Sequence, residues 1–250
     1  MSLNLPDNTK LEVFPDAHAV TNGIAEWIVD RLNTIKTRRK RLVLAGGSTP
    51  KALYELWAKE FSDRLDWSRV SFTFSDERAV PPEHVDSNYR MAKEALFDPL
   101  GISKKQVLRL RGEDGAEKGA QKAHKALEAW AQQVPLFDVV LLGLGSDAHT
   151  ASLFPSETAP EFGARLAGAC QHPDGQPRIT LTPQALSSAG HVAYFVSGEG
   201  KAQAVASALS SSEADSKYPT RSIGSSDTHI TWFLDEAAAS ALPANAGSSS

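Results

Sequence analysis

Phe137-Asp138-Val139-Val140-Leu141-Leu142 runs directly into Gly143-Leu144-Gly145-Ser146-Asp147-Ala148-His149-Thr150-Ala151-Ser152-Leu153-Phe154-Pro155. The first six residues form an apolar run that predicts a buried strand of a parallel sheet. Gly, Ser, Asp and His then fall where that strand ends and the chain turns. In an open α/β sheet, ligands bind at the carboxyl ends of the strands. A histidine there, with an acid two residues earlier, is placed as a general base with an orienting carboxylate. The competing reading is a loop histidine with no role.

Working outward from this strand, helical and strand patterns alternate. Asp16 to Lys36 carries Val20, Ile24, Trp27, Ile28 and Ile35 close to helical spacing, with Asp16 as N-cap. Arg41 to Ala45 predicts a strand ended by Gly46-Gly47, and Pro50 suits the first turn of a helix through Leu53, Leu56 and Trp57. Val70 to Phe74 alternates like a strand and runs into Ser75-Asp76-Glu77-Arg78. Asn88 to Leu96 predicts a helix, Val107 to Leu110 a short strand, and Ala116 to Gln133 an alanine-rich helix. After the histidine loop, Arg165–Cys170, Arg178–Thr182 and His191–Val196 predict strands. Ser197-Gly198-Glu199-Gly200 opens a helix through Lys201, Ala204, Val205 and Leu209, and His229–Leu234 is the last strand. Such alternation predicts an α/β fold with a mostly parallel sheet covered by helices. We expect one domain over residues 1–242, with a smaller lobe around 160–190, and a frayed small-residue tail over 243–250.

Composition narrows the function classes. The 250 residues carry a formal charge of −4, which argues against a nucleic-acid partner. The one basic run, Lys36-Thr37-Arg38-Arg39-Lys40-Arg41, sits between a helix and a strand and reads as a solvated connection rather than a localisation signal or an RNA patch. Cys170 is the only cysteine, so no intrachain disulfide forms. No signal-peptide pattern opens the chain, and no apolar run approaches the ~20 residues needed to span a bilayer. A soluble, cytoplasmic protein without membrane contact is expected. His18, His84, His124, His172, His191 and His229 show no ligand spacing, so no metal site is expected.

Three further places carry polar residues that could do chemistry. At Ala45-Gly46-Gly47-Ser48-Thr49-Pro50, two glycines let the backbone approach an anion while the following helix points free N–H groups at it. The loop lacks the ending of a P-loop, and Pro50 stands where a Gly-x-Ser-x-Gly elbow needs glycine. A sugar-phosphate cradle is favoured over nucleotide hydrolysis or a Ser48 nucleophile; a plain tight turn is the bland alternative. At Ser75–Pro81, Arg78 is placed to clamp a phosphate, with Asp76 holding it or a sugar hydroxyl, although a surface salt bridge would use the same residues. Lys201 sits beside the positive end of a helix, a placement that suits a bound anion as well as a solvated lysine. Arg178 and Arg221 lie near strand starts or loops, either as surface charges or as members of a phosphate site; Arg178 is counted with the candidate substrate-binding residues.

At these residues the sequence resembles the 6-phosphogluconolactonase family. The resemblance rests on Leu44–Pro50, on Phe74–Arg78 with Val80-Pro81 and Ser87-Asn88-Tyr89, and on Asp147–Pro155. Weaker matches are Arg178–Thr182, Gly198 with Lys201-Ala202, and Thr231–Asp235. It implies a Rossmann-like fold with helices on both faces, and metal- and cofactor-independent hydrolysis of 6-phosphoglucono-δ-lactone to 6-phosphogluconate. His149 would be the general base toward water and Asp147 the support of its loop. Gly46, Gly47, Ser48 and Thr49 would line the substrate site, with Arg78 and Lys201 nearest the phosphate. A monomer is expected, with a dimer as the alternative. The family pattern usually has glycine where this chain has Ala148; if that position needs φ > 0, alanine costs roughly 1 kcal/mol.

Two other functions compete. A glucosamine-6-phosphate deaminase shares the fold, but its loop typically reads Asn-Gly-His-Ile-Ala-Phe-Asn-Glu-Pro, and the acid near its end is absent here. A non-catalytic sugar-phosphate sensor on the same scaffold would be expected to lose the histidine and to carry a helix-turn-helix segment. His149 is present, and no such segment precedes the first strand.

Overall fold

The chain alternates from its start. β1 (Thr9–Phe14), α1 (Ala17–Thr34), β2 (Lys40–Leu44), α2 (Ser48–Glu60) and β3 (Val70–Phe74) come first. β4 (Asp76–Arg78), α3 (Asn88–Ala92) and α4 (Ala116–Trp130) follow, then β5 (Phe137–Leu142), β6 (Ala167–Gln171) and β7 (Pro177–Leu181). α5 (Pro183–Ser187), β8 (Ala189–Val196), α6 (Ala202–Leu209), β9 (His229–Asp235) and α7 (Glu236–Ala239) complete it. This computed structural model describes residues 5–36, 38–155, 161–210 and 217–243, so the expected tail lies outside the described residues beyond Pro243.

Six strands form one sheet in the order β1-β9-β8-β5-β2-β3, and every neighbouring pair is parallel. β5 sits near its middle with all six residues buried, as its apolar run predicts. Asp138 is the exception in kind. Its carboxylate is held by both ends of the Arg38 guanidinium and by the Arg41 N–H at 2.6 Å, which satisfies an otherwise costly buried charge.

Helices cover both faces. α1 starts at the Asp16 cap, whose side chain accepts from Ala19 N–H at 2.8 Å. It buries Val20, Ile24, Ile28 and Leu32, each contributing about 1.5–3 kcal/mol of apolar burial. Trp27 on this helix meets Phe233 edge-on. The next residue back, Trp232, must point the other way; it stacks on Tyr194 in a cavity shared with Leu209 of α6. α1 and α6 therefore lie on opposite faces. Among the described residues no helix is long and apolar enough to cross a membrane.

The strand order fixes where a ligand can enter. From β2 the chain moves outward to the edge strand β3, then returns past β2 to β5 on its other side. The connections leaving β2 and β5 thus diverge, and a crevice opens between their carboxyl ends. Both the Gly46-Gly47 turn and the His149 loop start there.

A second, three-stranded antiparallel sheet has the order β4-β7-β6. Asp76-Glu77-Arg78, to which the sequence reading assigned no strand, form one here. Other differences are local. The helix expected over Asn88–Leu96 is α-helical only to Ala92 and continues as a π turn over Lys93–Phe97. Val107–Leu110 makes a single bridge, Val107 to Phe72, and no strand. α4 ends at Trp130, and the β1 strand at Thr9–Phe14 was not anticipated.

Candidate active site

A cavity of about 260 Å³ opens at the carboxyl end of the parallel sheet. The β2 turn contributes Gly46, Gly47, Ser48, Thr49 and Pro50, and the β5 loop contributes Gly143, Gly145, His149 and Thr150. Ser75, Asp76 and Arg78 enter from the second sheet's edge, Arg178 from β7, and Ser197 and Lys201 from the end of β8. Among the described residues no side chain caps α2, whose first residues line the cavity and point their N–H groups toward it. Gly46 permits a close approach: a Cβ there would overlap the Asn88 amide. Among the described residues no three His, Cys, Asp or Glu side chains gather to hold a metal ion.

The β5 loop presents His149 through local hydrogen bonds. Asp147 Oδ1 accepts from the His149 backbone N–H at 3.1 Å and lies 2.6 Å from Nδ1. Gly145 N–H donates to His149 O, and Ala148 N–H to Gly145 O, which closes the turn. A Cβ on Gly145 would overlap the His149 ring, so that position needs glycine. Burial alone would push the Asp147 carboxyl up; the His149 N–H, the imidazole charge and the side-chain bond outweigh it and hold the carboxyl below its usual range. Asp147 thus remains a carboxylate behind the imidazole. Ala148 has φ 66° and Ala151 φ 52°, so the suspected left-handed position is real. The alanine is accommodated with its methyl buried, and the His149–Asp147 bonds are intact.

Cations dominate the opposite wall. In the β4–β7 register, Arg78 lies directly across from Arg178. Like charges facing each other across an antiparallel pair destabilise it unless an anion lies between them. Asp76 is already occupied, accepting from Ser152 Oγ at 2.6 Å and Asn88 Nδ2 at 3.2 Å, with Arg178 Nη1 at 3.6 Å. It positions Arg178 rather than Arg78. Arg78 Nη1 donates to Asp86 O, and both arginines keep a buried Nε that no group among the described residues accepts. Glu77 anchors this corner: Arg78, Asn88 and Tyr89 N–H groups and Ser87 Oγ all donate to its buried carboxylate. Burial raises the Glu77 carboxyl pKa despite those bonds. Lys201 has no ion pair among the described residues; burial lowers its pKa, against the opposing pull of Asp147. Burial pushes the Cys170 thiol up to about 12, which disfavours the thiolate form a nucleophile needs.

Residues 15–232 match the family described as "Glucosamine-6-phosphate isomerases/6-phosphogluconolactonase". The chain belongs to this family. A 6-phosphogluconolactonase of Treponema pallidum is 38% identical over 209 residues, which covers 82% of this chain and 86% of that protein. One from Nostoc is 36% identical over 239 residues, 93% and 98% of the two chains. The solved 6-phosphogluconolactonase of Trypanosoma cruzi superposes with a TM-score of 0.84 at 28% identity, over 97% of this chain and 98% of that one. A solved monomeric glucosamine-6-phosphate deaminase, at TM-score 0.79 and 18% identity, shares the fold alone.

The structure brings nine of the sequence-derived candidates to one cavity: Gly46, Gly47, Ser48, Thr49, Asp76, Arg78, His149, Arg178 and Lys201. Asp147 stands behind His149 rather than on the cavity wall. Sequence reasoning missed Asn88, which lines the cavity and holds Asp76. It also missed Phe154 and His172, whose rings pack against His149. The Ser87-Asn88-Tyr89 motif, following the Asp76–Arg78 stretch in the chain, is the sequence signal for Asn88.

Proposed function

We propose that the chain hydrolyses 6-phosphoglucono-δ-lactone to 6-phosphogluconate in the oxidative pentose phosphate route, with His149 as general base. The observation that carries this reading is that one cavity holds a carboxylate-backed imidazole and a cross-strand arginine pair. The Asp147 carboxylate accepts only from a protonated Nδ1, which leaves Nε2 as the basic atom. Arg78, Arg178 and Lys201 take the phosphate, and the Gly46–Thr49 turn takes hydroxyl or carbonyl oxygens through N–H and O–H donors.

In the reaction, water oxygen bonds to the lactone carbonyl carbon as His149 Nε2 takes its proton. The tetrahedral intermediate then breaks its bond to the ring oxygen. That oxygen recovers the proton from the imidazolium, and the product acid ionises. The δ-lactone is already reactive, so one positioned base worth about 10²–10⁴-fold suffices, together with orientation by the phosphate. No covalent nucleophile or cofactor is required. We take residues 1–242 to act as one domain, as a monomer in the cytoplasm.

The test is lactone opening with freshly generated substrate and the spontaneous rate subtracted. An enzyme-dependent rate that falls about 10²–10⁴-fold in His149→Ala, with 6-phosphogluconate still bound, is expected. An unchanged rate in His149→Ala would remove the base assignment. No rate above background in the parent protein, with product still bound, would make it a sugar-phosphate sensor.

A further inference from the structure

One hydrogen bond does not fix an imidazole. Asp147 locates Nδ1 of His149 but leaves the ring free to turn about that contact, and the side chain is 27% exposed. What fixes the plane is aromatic packing. The Phe154 ring lies 5.0 Å from the His149 ring at 46°, and His172 meets both rings edge-on, 5.1 Å from Phe154 at 86° and 6.4 Å from His149 at 88°. Edge-to-face contact at these separations is the favoured arrangement of such rings.

We propose that His172 is a positioning residue for His149, closing with Phe154 an aromatic clamp that holds the base in one plane. The proposal rests on His149 being the base. At 6.4 Å between ring centres His172 is too far to exchange a proton directly with His149, so its contribution is orientation.

His172 is itself built to stay still. It opens the tight turn between β6 and β7, where Gly175 N–H donates to His172 O at 2.8 Å and His172 N–H to Gln176 O at 2.9 Å. Pro173 and Gly175, the latter at φ 91°, supply the backbone angles such a turn needs. Asp174 lies 2.8 Å from His172 Nδ1 and also accepts from Gln176 N–H at 2.9 Å, tying imidazole and turn together. Arg178 donates to Gln176 Oε1 at 3.0 Å. One hairpin therefore carries both an arginine of the cavity wall and the brace of the base.

The experiment measures kcat and KM for 6-phosphoglucono-δ-lactone in the parent protein, His172→Ala, His172→Phe and His149→Ala. Displacing a reacting group by an ångström costs up to about 10²-fold; for a partly retained clamp we expect kcat about tenfold lower in His172→Ala, with KM within about twofold. His172→Phe keeps a ring edge against Phe154 and restores kcat to within about twofold. Asp174→Ala, which frees the imidazole without deleting it, falls between them and serves if His172→Ala does not fold. An unchanged kcat in His172→Ala, a loss confined to KM, or no recovery in His172→Phe overturns the proposal. A fully active His149→Ala instead removes the base on which it rests, and that outcome is distinct from the other three.

Discussion

The two ends of the six-stranded sheet are both rich in cations and use them in opposite ways. At the amino end, Arg38 is spent on Asp138, and Arg41 donates to Trp130 O and Leu136 O while lying over the Trp130 ring. Arg39 donates to Ser71 Oγ and Ser68 O, and Arg69 to Lys36 O and Arg38 O. These guanidinium forks staple strand starts together. At the carboxyl end, Arg78 and Arg178 face each other with a buried Nε left over on each, and Lys201 has no ion pair among the described residues. Donors left open, rather than the density of charge, distinguish an anion site from a staple.

The sharpest way to break this contrast is a pair of variants. Asp138→Ala strands Arg38 and the Arg41 N–H; because Arg38 is 27% exposed, the cost falls below that of a fully buried pair, at about 2–3 kcal/mol in urea unfolding. Its kcat and KM should not change. On the proposed phosphate role, Arg78→Ala removes charged hydrogen bonds each worth about 1.5–3 kcal/mol, so KM should rise about 10–100-fold. Its stability should stay within about 1 kcal/mol, since the change also relieves the repulsion from Arg178. Equal losses on the unphosphorylated lactone would show that Arg78 does not bind phosphate. A stability loss matching that of Asp138→Ala would make Arg78 a staple as well.

The same contrast explains what was legible in the sequence. Of the amino-end cations, Arg38, Arg39 and Arg41 belong to one contiguous basic run and Arg69 joins them in space, and all four serve the fold. The carboxyl-end cations are scattered over 78, 178 and 201; Arg78 and Arg178 meet through strand register, and Lys201 joins them from the turn after β8. β5, β3 and α1 were readable because each buries a continuous or periodic apolar set. β4 was not: Asp-Glu-Arg has no strand propensity, and pairing with β7 alone makes it a strand. β1 is an edge strand with three exposed positions in six, a pattern too weak to separate from a loop. The His149 loop was legible because its chemistry is contiguous, whereas the Phe154–His172 clamp depends on a hairpin folding back over it.

A smaller effect tests the amino end by pH. His191 on β8 stacks on His229 at 5.2 Å and meets Trp27 edge-on. Burial, then the charges of Arg31 and His229, lower its pKa from 6.5 to about 4. Between those values the unfolded chain holds the extra proton, so stability rises with pH through the window and is lost as pH falls from about 6.5 toward 4. The midpoint of thermal unfolding should therefore drop more between pH 7.5 and pH 5 in the parent protein than in His191→Gln. Parallel profiles would show that the His191–His229 stack does not couple to folding.

The least effect is expected at Ala148 in the carboxyl-end loop, the one position that departs from the glycine of the family pattern. Its φ of 66° costs a non-glycine residue about 1–2 kcal/mol, which Ala148→Gly would recover. Against that, glycine frees the unfolded chain by about 0.4–1 kcal/mol. It also gives up a methyl group that is only 1% exposed, worth about 0.8 kcal/mol. The terms nearly cancel, so the denaturation midpoint should move little in either direction. kcat should not change either, because both Asp147 bonds to His149 and the Gly145 turn are already formed with alanine in place. A several-fold rise in kcat for Ala148→Gly would mean instead that alanine holds the base away from its best position, and that local backbone strain, not the aromatic clamp, governs where His149 sits.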